Sequence, residues 1–207
     1  MTKEISYSHK YIVASREDLI KALKNNLSKD RFEHCLRVES TAIELAQKYQ
    51  LNWERAGIAG LLHDYAKEDS LETLKTYAHF PGFDEEWVNY GNAIWHGPLA
   101  AMKAVDEFGL HDLEIYYAIY KHTTGSIDWT NTAKLVFLAD YMEPGRDFPG
   151  VDQARALTEQ SLDLAVDYKI KQNLKHLIDK GQSIYPESLA VYNAWINKKG
   201  KSEWLIN

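Results

Sequence analysis

The sequence predicts an all-α protein, a compact multi-helix bundle of roughly ten mostly short helices. Apolar residues recur at steps of three and four along nearly the whole chain. The stretch 30–50 shows this most clearly, with Cys35, Val38, Ala42 and Leu45 on one face. No stretch alternates polar and apolar residues between hairpin turns, as half-buried strands would. The 207 residues are enough for one domain with a substantial core.

Capping residues divide the first half of the chain into four helices. Ser, Asp and Asn side chains accept hydrogen bonds from the free N–H groups at a helix start. The predicted N-caps are Ser15, Asp30, Asn52 and Asp69, and their helices run to about residues 26, 50, 66 and 80. Asp30 with Glu33 and Asp69 with Glu72 are predicted capping boxes. The fourth helix ends before the Pro-Gly pair at 81–82, which breaks it.

Pro and Gly mark the helix ends in the second half of the chain, because Pro is favoured in the first turn of a helix and Gly just beyond its end. The remaining predicted helices cover residues 98–109, 112–121, 131–142, 152–180 and 186–198. Pro98 and Pro186 are predicted as first residues, and Gly109 and Gly181 as terminators. Asp112 is the predicted N-cap of the 112–121 helix.

Composition excludes several classes of protein. The chain has 24 Lys and Arg against 30 Asp and Glu, a net charge of −6, which disfavours nucleic acid as a partner. A single cysteine, Cys35, cannot form an intramolecular disulfide and fits a reducing cytoplasm. No apolar run approaches the roughly 20 residues that span a bilayer, and the N-terminus resembles no signal peptide. We therefore expect a cytoplasmic protein without a membrane partner.

Two His-Asp pairs differ in their surroundings. His63-Asp64 closes the apolar run GIAGLLHDYAK, where a buried helix turns into a polar segment. His111-Asp112 follows a glycine and is typical of a helix N-cap, so we interpret it as structural. The first pair is the candidate for chemistry.

Two further residues extend this pair to a metal-ligand set. His34 lies in EHCLRV, beside an apolar stripe, and Asp140 lies in the apolar run KLVFLADYMEP. A buried carboxylate requires a cation, which is either a metal ion or an Arg or Lys partner. Two imidazoles and two carboxylates on three helices form a mixed nitrogen and oxygen set suited to iron, manganese or zinc.

The pattern H…HD…D in an all-α chain resembles the HD-domain metal phosphohydrolase superfamily. The segments HCLRV, LLHDYAK, WHGPLAA, KHTTG, LADYMEPGRDFPG and IYPESLAVYN resemble the bacterial YqeK-type family of symmetrical diadenosine tetraphosphate hydrolases. The resemblance spans about residues 19–197. It implies an iron-dependent enzyme that cuts diadenosine tetraphosphate at its middle into two ADP, and a homodimer.

The resemblance also assigns residues to the metal. It implies that His34, His63, Asp64 and Asp140 bind one iron ion, with Mn, Zn, Co or Ni as substitutes. His96 and His122 either hold a second metal ion or bind the substrate phosphates. Asp64 is also expected to orient the attacking water.

Other residues are candidates for substrate binding. Lys67 lies one turn after His63, within reach of a phosphate, and is otherwise a solvated lysine. Arg146, in EPGRDFPG, is placed to grip a phosphate, or else pairs with Asp147 or Glu143. Thr123 and its neighbour Thr124 offer hydroxyl groups or simply end a helix.

The irregular segment SIYPES completes the predicted site. The resemblance implies that it lies over the nucleotide, whereas the alternative is a plain connection between helices. Its residues are Ser183, Ile184, Tyr185, Pro186, Glu187 and Ser188. We expect one HD domain over 1–207, with a core at about 19–145 and C-terminal helices at 152–198 that close the nucleotide site.

Two other functions remain open on the sequence alone. An HD-type nucleoside monophosphatase or cyclic nucleotide phosphodiesterase is one, although His96 and His122 argue against it, because monophosphatases of this kind use H…HD…D alone. A non-catalytic nucleotide sensor is the other, and the complete ligand set argues against it.

Overall fold

Most of the segments with predicted helical periodicity form helices in the structure. The computed structural model describes residues 5–204, with side chains described for residues 5–198. Within them lie ten α-helices, α1 Arg16–Asn26, α2 Lys29–Lys48, α3 Trp53–Leu62, α4 Leu71–Thr76, α5 Asn92–Phe108, α6 Leu113–Tyr120, α7 Asn131–Met142, α8 Val151–Gln160, α9 Leu162–Asp179 and α10 Pro186–Trp204. A 3₁₀ helix covers Glu85–Asn89. The all-α prediction is confirmed, since residues 5–204 contain no strand beyond one isolated bridge.

Several predicted caps are confirmed and two are wrong. Ser15 forms a capping box with Asp18, and the Asn52 and Asp112 side chains accept from backbone N–H groups in the first turns of α3 and α6. The N-cap of α2 is Ser28, not Asp30, and the N-cap of α4 is Ser70, not Asp69. In both cases the hydroxyl accepts from the N–H three residues later, and the carboxylate lies outside the cap position.

The predicted start of the 98–109 helix is wrong, because α5 begins at Asn92 and contains Pro98. Gly91, at φ 76°, turns the chain into the helix, and Gly109, at φ 65°, ends it in the left-handed conformation. A proline within a helix removes one hydrogen bond, at a cost of about 3 kcal/mol. The buried face of α5 offsets that cost, and the extra turns before Pro98 carry His96.

The predicted 152–180 helix is two helices. Ser161 has extended backbone, at φ −165° and ψ 138°, and is both the C-cap of α8 and the N-cap of α9. This break lets α9 fold back against α8 and α7. Helix α3 likewise ends at Leu62 rather than near 66, and a series of turns follows it.

Helix α7 lies at the centre of the core and separates two apolar clusters. Its Ala133 and Val136 pack into a cluster built with α1, α3, α5 and α6. Its Leu135, Phe137 and Leu138 pack into a second cluster with α8, α9 and α10. Because α7 is buried on nearly all sides, its sequence is almost continuously apolar.

Helices α2 and α3 approach closely at Gly60. A Cβ atom at this glycine would lie 3.2 Å from the Val38 carbonyl oxygen and from the Ala42 Cβ. This contact sets His63, three residues beyond Gly60, beside His34 of α2. No helix within residues 5–204 combines the length and the hydropathy that crossing a bilayer requires.

Candidate metal centre

The structure brings the four predicted metal ligands together. His34 comes from α2, His63 and Asp64 from the end of α3, and Asp140 from α7. Their facing atoms are His34 Nε2, His63 Nε2, Asp64 Oδ2 and Asp140 Oδ1, which lie 3.3–3.7 Å apart in the five pairs that include a histidine. Ligand atoms around a first-row ion at about 2.1 Å stand about 3.0–3.5 Å from one another, so this spacing fits a metal.

Hydrogen bonds on the outer side of each imidazole set its tautomer. The Nδ1 atoms of His63, His96 and His122 donate to the carbonyl oxygens of Gly60, Asn92 and Ile119 at 2.8, 2.7 and 2.8 Å. His34 Nδ1 lies 3.1 Å from Glu143 Oε1 and donates to it. In the neutral tautomer that this fixes, each Nε2 carries a lone pair directed at the centre.

These lone pairs face one another at short range. His34 Nε2 lies 3.3 Å from His63 Nε2, and His96 Nε2 lies 2.9 Å from His122 Nε2. Two bare acceptors at such distances repel unless a proton or a metal cation lies between them. The donor set therefore fits a divalent first-row metal, which prefers imidazole and carboxylate ligands.

Asp64 faces both groups of histidines. Its Oδ2 points to His34 and His63, and its Oδ1 lies 3.0 Å from His96 Nε2 and 3.6 Å from His122 Nε2. His63, Asp64 and His122 accordingly form a second set of atoms suited to a metal. Because each Asp64 oxygen faces one pair of histidines, this carboxylate could serve two adjacent cation sites.

The ionisation of the centre follows from burial and neighbouring charge. Burial alone would raise the pKa of Asp64, but its electrostatic interactions with the neighbouring imidazoles, that of His63 first, hold this pKa well below its usual value. Burial lowers the pKa of His122 to about 4. Burial also opposes ionisation of Asp140, yet the ammonium of Lys169 keeps its pKa well below normal. Both carboxylates therefore remain anionic near neutral pH.

The centre lies at the base of a cavity of about 330 Å³ with cationic walls. Its basic lining residues are Arg31, Lys67, Arg146 and Lys169. Lys67 Nζ lies 3.3 Å from His96 Nε2, so the predicted phosphate ligand points into the site rather than into solvent. Arg146 Nη2 pairs with Asp140 Oδ1 at 2.7 Å, and its Nε lies 3.9 Å from Glu143. Four cations around one cavity suit a polyanion.

The comparisons with known proteins agree with this centre. The sequence profile of the HD domain family matches residues 31–145, which include all six histidine and aspartate side chains described above. The chain is 35% identical over 182 residues to a symmetrical bis(5'-nucleosyl)-tetraphosphatase of Bacillus subtilis, covering 88% of this chain and 97% of that protein. This chain is a member of the YqeK-type branch of the HD-domain family.

Two further relatives resemble this HD-domain chain over most of its length. A symmetrical bis(5'-nucleosyl)-tetraphosphatase of Staphylococcus aureus is 38% identical over 172 residues, covering 82% of this chain and 89% of that protein. A crystal structure from Clostridium acetobutylicum, described as a predicted HD superfamily hydrolase involved in NAD metabolism, has a TM-score of 0.84 at 32% identity. It covers 90% of this chain and 99% of that chain.

The HD-domain match ends at residue 145, but the cavity continues beyond it. Lys169 of α9 is buried, lies 3.5 Å from Asp140 Oδ2, donates to the Phe137 carbonyl oxygen and packs over the Phe137 ring. The sequence analysis missed this residue. The sequence feature that identifies it is its position between Val166 and Ile170, on the apolar face of α9.

The sequence analysis also missed Arg31 and Glu143. Arg31 Nη1 pairs with Asp64 Oδ2 at 2.7 Å, and Glu143 accepts from His34 and Arg37. The Arg37 guanidinium lowers the pKa of Glu143 against the effect of burial. The sequence suggests Glu143 only as a partner of Arg146, because a carboxylate at the end of an apolar helix is an ordinary feature.

A groove of about 1120 Å³ adjoins the cavity of this HD-domain chain and shares Thr123, Tyr141, Phe148 and Asn173 with it. The predicted segment contributes Ser183, Tyr185 and Ser188 to the groove, and Thr124 also lines it. Glu187 instead pairs with Lys121 and Pro186 lines a neighbouring pocket, so these two face away from the groove. Ile184 lines neither the cavity nor the groove.

The second His-Asp pair is structural, as predicted. Asp112 accepts from the Ile115 N–H at 3.0 Å as the N-cap of α6, and it pairs with Arg55 at 2.7 Å. His111 bonds the backbone of Lys10 and lies outside the cavity.

Proposed function

We propose that this protein hydrolyses dinucleoside polyphosphates and cleaves diadenosine tetraphosphate symmetrically. Water adds across the central anhydride, the bridging P–O bond breaks, and two ADP leave. The relatives that carry the name of this activity are matched over nearly their whole length. A cytoplasmic location is part of the proposal, and the single cysteine of the chain fits a reducing compartment.

The observation that carries this proposal is the position of the histidine and aspartate centre inside a cationic cavity. Two sets of nitrogen and oxygen atoms converge at its base, and four basic side chains line its walls. A tetraphosphate is highly anionic, and an acidic protein can bind it only where cations are concentrated.

A divalent cation held by His34, His63, Asp64 and Asp140 would lower the pKa of a bound water and polarise a phosphoryl oxygen. Asp64 stays anionic, so its carboxylate accepts a hydrogen bond and orients the attacking water. Lys67 and Arg146 hold phosphate oxygens, because both line the cavity, Lys67 beside His96 and Arg146 beside Asp140. His96, His122 and Thr123 either bind further phosphate oxygens or, for the histidines, hold a second ion.

Iron is the proposed metal, with one ion held by His34, His63, Asp64 and Asp140. A second ion belongs to the alternative in which His96 and His122 hold metal rather than phosphate. Membership of the HD-domain family and the donor atoms support a divalent metal. Mn, Zn, Co and Ni are proposed substitutes, since mixed imidazole and carboxylate sites accept all of them.

The groove next to the cavity is the proposed nucleoside site. It is continuous with the cavity through Thr123, Tyr141 and Phe148, and it is walled by α9 and the residues before α10. In this proposal α8–α10 belong to the same domain as the HD core and close the nucleotide site. Ser183, Tyr185 and Ser188 are the contacts of that segment with the nucleoside.

We also propose that the protein forms a homodimer and that it does not bind nucleic acid. The resemblance to the YqeK-type family supports the dimer, and the net charge of −6 argues against nucleic acid. Sedimentation equilibrium of the full chain tests the oligomeric state, and a monomer at micromolar concentration would contradict the proposed dimer.

Product analysis tests the reaction itself. Anaerobically iron-loaded protein is incubated with diadenosine tetraphosphate, with mononucleotides and with cyclic nucleotides, and the products are separated by chromatography. ADP as the only nucleotide product supports symmetrical cleavage. AMP with ATP would contradict it, phosphate released from a mononucleotide would indicate a monophosphatase, and binding without turnover would indicate a sensor.

A further inference from the structure

Glu143 is a buried carboxylate directly behind the candidate metal centre. It is the C-cap residue of α7, three residues after Asp140, and is only 1% exposed. It faces the outer edge of His34, where its Oε1 accepts from Nδ1 at 3.1 Å. The other three imidazoles of the centre donate to backbone carbonyl oxygens instead. Among these four, His34 alone has a charged outer partner.

The second oxygen of Glu143 is held just as firmly. Its Oε2 accepts from Arg37 Nε at 2.6 Å and from the Gly145 N–H at 2.5 Å. Arg37 lies on α2, one turn after His34, so one helix presents both the imidazole and the guanidinium to the same carboxylate. A Cβ atom at Gly145 would lie 2.6 Å from Arg37 Nε, so only glycine leaves room for this guanidinium.

The loop that carries Glu143 is fixed from its other side by α8. Arg155 Nη2 donates to the carbonyl oxygens of Glu143 and Arg146 at 3.1 and 2.9 Å, and its Nε donates to that of Met142 at 3.1 Å. The side chain and the backbone carbonyl of Glu143 therefore both have hydrogen-bond partners. An ordinary helix C-terminus does not require these side-chain contacts.

We propose that Glu143 is a positioning residue for His34, and that Arg37 in turn positions Glu143. The carboxylate keeps the His34 proton on Nδ1, aims Nε2 at the centre and increases the basicity of that nitrogen. The inference rests on the metal centre of the proposed function and is independent of the substrate. The competing explanation is a clamp that only ties α2 to α7.

Metal affinity in the absence of nucleotide separates the two explanations. Mn²⁺ alone is titrated into the full chain, and free Mn²⁺ is followed by electron paramagnetic resonance. Glu143→Gln should weaken Mn²⁺ binding about ten- to hundred-fold, the usual effect of losing an outer partner of a ligating histidine. Glutamine replaces one of the two carboxylate oxygens with an NH₂ group, which can only donate, so in the present geometry either His34 or Arg37 would face a second donor.

Substitutions at the half-exposed Arg37 test the same inference without a change inside the core. Arg37→Met should weaken Mn²⁺ binding by about ten-fold, near the lower end of that range, and Arg37→Lys should restore part of it. Arg16→Met is the matched control. Arg16 also pairs with a buried carboxylate, that of Glu39 on α2 at 2.6 Å, but this pair lies away from the centre. It should lower stability and leave Mn²⁺ affinity unchanged.

Two results would overturn the inference. The first is wild-type Mn²⁺ affinity in both Glu143→Gln and Arg37→Met with a lowered melting temperature, which would show a clamp. The second is no Mn²⁺ binding by the wild-type chain, which would remove the metal centre itself. If the chain does not hydrolyse diadenosine tetraphosphate, product analysis will show it, and the Mn²⁺ results will still test the inference.

Discussion

At the scale of single residues, the two His-Asp pairs show how position decides the role of a side chain. Asp64 is buried among four imidazoles, whereas Asp112 caps a helix and pairs with Arg55 at the surface. The same dipeptide therefore supplies a candidate ligand group in one place and a helix cap in the other.

Substituting the two aspartates separately tests this difference. Asp64→Ala should remove the metal and abolish hydrolysis, because it takes away the carboxylate that faces both groups of histidines. Asp112→Ala should cost about 1 kcal/mol of stability as a lost N-cap and leave metal and activity intact. Elemental analysis of the purified variants measures the metal, and full occupancy in Asp64→Ala would disprove the assignment.

Arg146 distinguishes substrate binding from metal binding. A charge-assisted hydrogen bond to phosphate contributes roughly 1.5–3 kcal/mol, so Arg146→Ala should lower kcat/KM about ten- to hundred-fold. Metal occupancy should persist, since Asp140 keeps Lys169 as a cationic neighbour. Arg146→Lys should recover only part, because a lysine lacks the bidentate guanidinium. Steady-state kinetics provide the measurement, and wild-type kcat/KM in the alanine variant would leave Arg146 as a partner of Asp140 alone.

At the scale of secondary-structure elements, the centre depends on how helices approach one another. Helix α7 contributes Asp140, while α2 and α3 pack closely enough to bring His34 and His63 within 3.3 Å. The break at Ser161 returns α9 to α7, which places Lys169 beside Asp140. Each of these relations joins residues far apart in the chain.

Gly60→Ala tests the approach of α2 and α3. The new Cβ would meet the Val38 carbonyl oxygen at 3.2 Å and Glu39 Cα at 3.3 Å. These backbone atoms cannot rotate away, so the helices must separate by a few tenths of an ångström. We expect the lost packing to exceed the roughly 1 kcal/mol that alanine gains in helix propensity. Melting temperature and Mn²⁺ affinity should both fall, and an unchanged affinity would show that the helix spacing does not set the centre.

At the scale of the whole molecule, the candidate ligands come from α2, α3 and α7, and α7 packs into both apolar clusters. A metal that binds only the folded chain raises the free energy of unfolding by about 2.7 kcal/mol at one hundred times its dissociation constant. For a domain of this size, each kcal/mol corresponds to about 2–4 °C in melting temperature.

Mn²⁺ at that concentration should therefore raise the melting temperature by about 5–11 °C. Differential scanning calorimetry measures the shift, and excess chelator should reverse it. Asp64→Ala should show almost no shift, because it lacks the carboxylate that faces both groups of histidines. An equal shift in wild type and variant would place Mn²⁺ elsewhere on the protein.

The sequence by itself determined the helical class, most helix ends and the H…HD…D residues, because periodicity, caps and motifs are local properties of the chain. It misplaced the start of α5 at Pro98, since the buried face that compensates an internal proline is formed by distant helices. Only the tertiary structure decided that Glu143 lies behind His34, 109 residues earlier, and that Lys169 lies beside Asp140. The sequence does not distinguish a charged helix residue that faces solvent from one that faces a buried partner. Packing alone brings that partner to within hydrogen-bond distance and fixes the role of the charge.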